Sequence, residues 1–111
     1  MSLRFLHVFP SFEAGGAQLR VINTINHAGP GGGHGILCID GNTAAAYRLD
    51  PACAVPVYKT QPRTGTIGFL LALRRQLREL SPRVLITYNW GSTDAIIAAM
   101  LNGMLIMCGL A

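Results

Sequence analysis

The sequence predicts an α/β fold, a Rossmann-like parallel sheet with helices on both faces. Short apolar runs alternate with stretches of helical spacing along the 111 residues. The turns between them are short, and no repeat or low-complexity linker interrupts the alternation. Because successive parallel strands require crossover helices, this alternation favours one parallel sheet covered on both faces.

The first strand, helix and second strand are predicted from three segments. The apolar run Leu3–Phe9 predicts a buried strand that Pro10 stops. Helical spacing begins at Ala17 and ends at Gly29–Pro30. The apolar stripe of this helix comprises Leu19, Val21, Ile22 and Ile25. A second strand follows over Ile36–Ile39.

The next elements include the clearest helix of the chain. Ala54–Tyr58 predicts a third strand, which the internal Pro56 makes short or peripheral. The helix begins with Thr66 as its cap and ends at Ser81–Pro82. Its apolar stripe comprises Leu70, Leu73, Leu77 and Leu80. Arg83–Tyr88 then predicts a fourth strand.

The C-terminal segment is almost wholly apolar. Gly91–Asp94 predicts a turn and cap for a helix over Asp94–Leu101, and Met104–Cys108 predicts the start of a strand. A membrane span needs about 20 apolar residues, and Asn102–Gly103 interrupts this shorter stretch. We therefore expect one domain over residues 1–103 and an apolar tail over residues 104–111, either a further strand or a non-native end.

Composition excludes several classes of protein. Half of the residues are hydrophobic and only 13% are charged, which indicates a surface normally covered by something else. The net charge of +4 is spread along the chain and predicts no nucleic-acid partner. Three cysteines without paired spacing indicate reduced thiols and a cytoplasmic protein.

Sequence motifs predict neither a metal site nor a bound cofactor. The three histidines, His7, His27 and His34, show no metal-ligand spacing, so each is expected to be structural or solvent-facing. The chain has neither the G-x-G-x-x-G fingerprint nor the Walker phosphate loop. Nicotinamide enzymes and Walker-type nucleotidases are therefore not supported.

Two segments follow predicted strands at the edge of the sheet where ligands bind in such folds. Gly15–Gly16 separates the first strand from the first helix, so it is either an anion-binding loop or simply a tight turn. At the end of the fourth strand, Tyr88, Asn89 and Trp90 either meet a sugar-like ligand or pack against another part of the protein. Asp94 either binds a ligand hydroxyl or caps a helix.

The order of these motifs resembles one enzyme family. The segment Leu6–Gln18 is similar to the opening strand and GGA loop of family 4 retaining glycosyltransferases. Leu73–Val84 resembles the family's helix and its entry into the next strand, and Thr87–Ala95 resembles the loop and helix that follow. The resemblance extends to about Gly103.

This resemblance implies the first domain of a two-domain GT-B architecture, truncated before the donor-binding domain. The whole enzyme would transfer a sugar from a nucleotide-diphosphate sugar to a glycan or lipid-linked acceptor, and this chain would be inactive alone. Gly15 and Gly16 would lie near the donor diphosphate, and Tyr88, Asn89, Trp90 and Asp94 would line the acceptor side. Many relatives carry H-x-H where this chain has Ile86–Tyr88.

Other interpretations of the same residues remain open. A non-catalytic Rossmann-like module would self-associate through its apolar surface. A flavodoxin-like regulator is disfavoured because the early acidic pair is absent. The basic face of the second helix, with Arg74, Arg75 and Arg78, either contacts the inner face of a membrane peripherally or is simply solvated.

Overall fold

The computed structural model describes residues 3–60, 66–88 and 105–109. These residues form an α/β fold with a five-stranded parallel sheet. The strands are β1 (Phe5–Phe9), β2 (His34–Cys38), β3 (Val57–Lys59), β4 (Val84–Tyr88) and β5 (Leu105–Gly109). The two long helices are α1 (Gly16–Ala28) and α2 (Thr66–Leu80). The predicted α/β class is therefore confirmed.

The strand order is β3-β2-β1-β4-β5, and all four pairings are parallel. The chain proceeds outward from β1 to β3 on one side, then returns to place β4 on the other side of β1. The order of the strands consequently reverses between β1 and β4. In open α/β sheets, the crevice beyond the carboxyl ends of the strands at such a reversal is the usual ligand site.

The two helices cover opposite faces of the sheet. Alternate side chains of a strand point to opposite faces, so Leu6 and Val8 pack with Leu73 and Leu77 of α2 in one core. The opposite face carries Phe9, which packs with the other core, including α1 residues Ala17, Ile22 and Ile25. The predicted coverage of both faces is confirmed by these two cores.

The element boundaries follow local sequence signals. Helix α1 ends at Gly29, whose φ of 81° suits a residue without a side chain. Within its predicted stripe, Ile22 and Ile25 are buried, whereas Leu19 and Val21 are only half-buried. Strand β3 has three residues, starts after Pro56 and pairs only with β2 among the described strands, as its proline predicted.

Helix α2 starts at Thr66, so this residue is the first helical residue and not the predicted cap. Ser81 follows the helix with φ of 45°, and its N–H donates to Leu77 O at 2.8 Å. The predicted turn at Gly91–Asp94 and the helix over Asp94–Leu101 lie outside the described residues. Strand β5 forms within the predicted tail and pairs with β4.

Candidate functional site

The loop between β1 and α1 forms the best-defined part of the carboxyl edge. Phe12 anchors it, because this side chain is fully buried and its N–H donates to Asn42 O at 2.8 Å. Gln18 is buried in the first turn of α1, where its Nε2 donates to Ser11 O at 2.8 Å. The N-terminus of α1 is therefore held in a fixed position beyond β1.

The two glycines of this loop have different structural roles. The backbone of Gly15 is extended, with φ of −104°, so no left-handed conformation requires glycine there. A Cβ at Gly15 would lie 2.6 Å from Gln18 Oε1, so Gly15 is needed for the packing of Gln18. A Cβ at Gly16 would meet no heavy atom of the described residues within 4 Å. The tight-turn explanation therefore does not account for Gly16.

The N-terminus of α1 carries positive character. The first-turn N–H groups of a helix have no intrahelical acceptor, and the helix dipole adds positive charge there. Gly15 supplies no side-chain cap, and the first turn contains no acidic residue. This helix end lies at the carboxyl edge of β1, beside the strand-order reversal. Its chemistry suits a phosphate or another anion.

Asp40 lies at the same edge, after β2, and the sequence analysis did not identify it. Its N–H donates to Pro10 O at 2.9 Å, which ties it to the exit of β1. Burial acts to raise the pKa of its carboxyl, but hydrogen bonds from Asn42 N, the Cys38 thiol and Ser11 outweigh burial and hold the pKa below its usual range. In dinucleotide-binding folds an acidic residue after the second strand binds ribose hydroxyls. That topological rule was the signal available in the sequence.

Tyr88 ends β4, but its side chain lies on the α1 face of the sheet. Its ring stacks on Phe9 with centroids 4.4 Å apart and an interplanar angle of 7°. Its hydroxyl lies 2.9 Å from His7 Nδ1, which is toward the amino end of β1. Burial raises the pKa of the Tyr88 phenol. The other predicted acceptor-side residues, Asn89, Trp90 and Asp94, lie outside the described residues.

His7 and His34 form a polar pair that the sequence analysis treated as two separate residues. His7 Nε2 lies 2.9 Å from His34 Nδ1, and the rings stack 5.1 Å apart. Burial and then the neighbouring His34 lower the pKa of His7 to about 4. Burial and then the charge of Arg4 lower the pKa of His34. The pairing of β1 with β2 was the signal that could have brought them together.

Within residues 3–60, 66–88 and 105–109, no group of three or more His, Cys, Asp or Glu side chains is arranged to hold a metal ion. Cys38 and Cys53 are free thiols, and burial raises the pKa of Cys38. No helix among the described residues is long and apolar enough to cross a membrane.

Comparison with known proteins finds no matching protein family, no similar curated protein and no similar solved structure.

Proposed function

We propose that this chain is the acceptor-side domain of a sugar transferase that uses a nucleotide-diphosphate sugar, with the diphosphate held at Gly15–Gly16. The observation that carries the proposal is the space at Gly16, where no heavy atom of the described residues lies within 4 Å of a Cβ. This space adjoins an uncapped helix end at the strand-order reversal, where fold geometry favours ligand binding. The resemblance to family 4 retaining glycosyltransferases supplies the substrate class.

Glycine at position 16 is less favourable for helix formation than alanine would be, so its presence there needs another explanation, and a phosphate site supplies one. In a helix interior, glycine is less favourable than alanine by about 1 kcal/mol. This cost of glycine is smaller at the first helical position. No described heavy atom would oppose a Cβ at this position. A phosphate approaching the backbone N–H groups of α1 would account for the absence of a side chain.

The chemistry available to this chain is electrostatic. Backbone N–H groups at the start of α1 would stabilise negative charge as it develops on the departing diphosphate. Asp40 would accept a hydrogen bond from a ribose hydroxyl at the same edge. Free thiols at Cys38 and Cys53 suit the reducing cytoplasm, where we place this activity.

The test is calorimetric titration of the whole chain with UDP, UDP-glucose and GDP-mannose. The Gly16→Val variant is compared with Ala28→Val, which adds the same side chain at the exposed opposite end of α1. We expect at least one nucleotide to bind, binding to fall at least tenfold in Gly16→Val, and Ala28→Val to bind like the parent. Equal binding by both variants, or no binding by the folded parent, contradicts the proposal.

A second candidate function is a self-associating module without catalysis. Ile67 and Leu71 lie one turn apart on α2, and they are 75% and 56% exposed. A second copy would bury this apolar pair. Sedimentation velocity distinguishes the two functions. If the chain is a self-associating module, we expect a dimer that binds no nucleotide, and we expect Leu71→Glu to dissociate this dimer. The same substitution is expected to leave nucleotide binding to the transferase domain unchanged.

A further inference from the structure

A cavity of about 180 Å³ lies between α1 and the sheet. Its sheet side is formed by His7, His34 and Tyr88. Its helix side includes Arg20, Val21 and Thr24. The side chains that line this cavity are not part of the proposed nucleotide site at Gly15, Gly16 and Asp40, so the cavity requires an explanation of its own.

The sheet side of the cavity is a chain of three hydrogen-bonded groups. His7 Nδ1 lies 2.9 Å from the Tyr88 hydroxyl, and His7 Nε2 lies 2.9 Å from His34 Nδ1. A neutral imidazole has one donor nitrogen and one acceptor nitrogen. When Tyr88 donates to His7 Nδ1, His7 Nε2 donates to His34 Nδ1, and His34 then carries its own proton on Nε2. In this direction the outer end of the chain, His34 Nε2, is a hydrogen-bond donor, whereas in the reverse direction it is an acceptor.

The charged groups around the cavity are basic. Arg20 is one of the residues that line it, and the Thr24 hydroxyl donates to Arg20 O at 2.8 Å. Arg4 lies close enough to His34 to influence its charge. Among the described residues that line the cavity, none is acidic. A ligand with a negative charge is therefore favoured over a neutral or cationic one.

The size and the walls of the cavity define the rest of the ligand. A protein cavity of about 150 Å³ accommodates one benzene molecule. The present cavity is of similar size, and Ala17, Val21 and Ile25 contribute apolar walls. A single ring therefore fits within it, whereas a nucleotide or disaccharide would extend beyond it.

We propose that this cavity binds a small single-ring carboxylic acid, with its ring against Val21 and Ile25 and its carboxylate toward Arg20 and His34. The Arg20 guanidinium donates charge-assisted hydrogen bonds to the carboxylate. The His34 Nε2–H adds a second donor. The bound carboxylate would therefore favour the direction in which Tyr88 donates to His7 and His7 donates to His34. The proposal does not depend on nucleotide binding.

Benzoate is the probe, and the readout is the ¹⁵N and ¹³C resonances of the His7 and His34 rings in the whole chain. We expect benzoate to shift these resonances with a Kd of roughly millimolar, typical of a ligand with so few atoms. Benzyl alcohol, which has the ring without the charge, is expected to bind at least about tenfold more weakly. Benzoate that leaves the ring resonances unchanged, or benzyl alcohol that binds equally well, overturns the proposal.

Two matched variants separate the site from general surface effects. Thr24→Trp places a large side chain at the cavity, whereas Asn23→Trp adds the same side chain at a neighbouring exposed position that does not line it. Both variants are checked for folding by their amide spectra. We expect benzoate binding to be lost in Thr24→Trp and retained in Asn23→Trp, and equal binding by the two variants overturns the proposal. UDP binding measured on the same samples reports separately on the carboxyl-edge loop.

Discussion

His7 Nε2 lies 2.9 Å from His34 Nδ1, although 27 residues separate them in the sequence. The parallel pairing of β1 with β2 brings them together, since Phe5 is paired with His34 and His7 follows two residues later on the same face. The pair is covered on one side by α1 and continues to Tyr88 on the other. We expect the stability of this face and the proposed binding of a carboxylate to depend on these contacts.

The first prediction concerns pH. The folded-state pKa of His7 is about 4 and the ordinary value is 6.5, so between these values the unfolded chain binds more protons. The contribution of His7 to stability is therefore complete above about pH 6.5 and is lost as the pH falls to about 4. We expect the free energy of unfolding to fall by up to about 3 kcal/mol over this range, measured by urea denaturation.

Two variants assign this pH dependence. His7→Phe removes the titrating group and is expected to reduce the loss of stability, leaving the smaller contribution of His34, whose pKa is also lowered. His27→Gln alters an exposed histidine of α1 and is expected to behave like the parent. An unchanged pH profile in His7→Phe would show that His7 is not the group responsible.

Tyr88→Phe tests the hydrogen bond between the Tyr88 hydroxyl and His7 Nδ1. Phenylalanine retains the ring that stacks on Phe9 but removes the hydroxyl 2.9 Å from His7 Nδ1. We expect a loss of about 1 kcal/mol in the free energy of unfolding, because a buried polar atom loses its partner. Tyr47→Phe, at a position that is 75% exposed, should change stability by less than about 0.5 kcal/mol. Equal effects of the two substitutions would exclude this role for Tyr88.

Gly15→Ala and Gly16→Ala should change stability in opposite directions. The Cβ of Gly15→Ala must displace the Gln18 side chain, which loses its hydrogen bond to Ser11 O at a cost of about 1 kcal/mol. Gly16→Ala places a methyl group where no described residue lies within 4 Å, and it is expected to stabilise α1 by less than about 1 kcal/mol while weakening nucleotide binding. Thermal unfolding and calorimetry on both variants measure the two effects. A destabilised Gly16→Ala would contradict the interpretation of that space.

Leu77→Ala tests the core on the α2 face. Leu77 is fully buried with Leu6 and Leu85, so truncation should leave a cavity and cost about 3 kcal/mol in the free energy of unfolding. Leu71→Ala makes the same change at a position on α2 that is 56% exposed, and its cost should be below about 1 kcal/mol. Denaturant titration that finds similar costs at both positions would contradict the assigned orientation of α2.

Much of the fold was predictable because its signals are local. Pro10 cannot continue β1, Pro56 restricts β3 to a short element, and Gly29 accepts the positive φ at the end of α1. Prediction was less exact where tertiary packing decides burial. Val21 fits the apolar stripe of α1, yet it lines the cavity beside His7 and is only half-buried.

The position of the β1–α1 loop at the carboxyl edge of the sheet was predictable from the sequence, but its contacts were not. The rule that ligands bind beyond the carboxyl ends of parallel strands identified Gly15–Gly16 from the sequence. It could not distinguish the two glycines, because the close approach of Gln18 to Gly15 depends on the hydrogen bond from Gln18 to Ser11 O. It also predicted that the Tyr88 side chain would meet the carboxyl edge, whereas stacking on Phe9 places the hydroxyl beside His7.

The sequence by itself determined the alternation of strands and helices, the ends of most elements and the parallel sheet, since these depend on hydrophobic periodicity and on the backbone limits of proline and glycine. Only the tertiary structure decided that His7, His34 and Tyr88 form one hydrogen-bonded chain, because strand order and register bring together side chains from three separate strands. Those distances arise from pairing between strands, and local sequence patterns do not encode them.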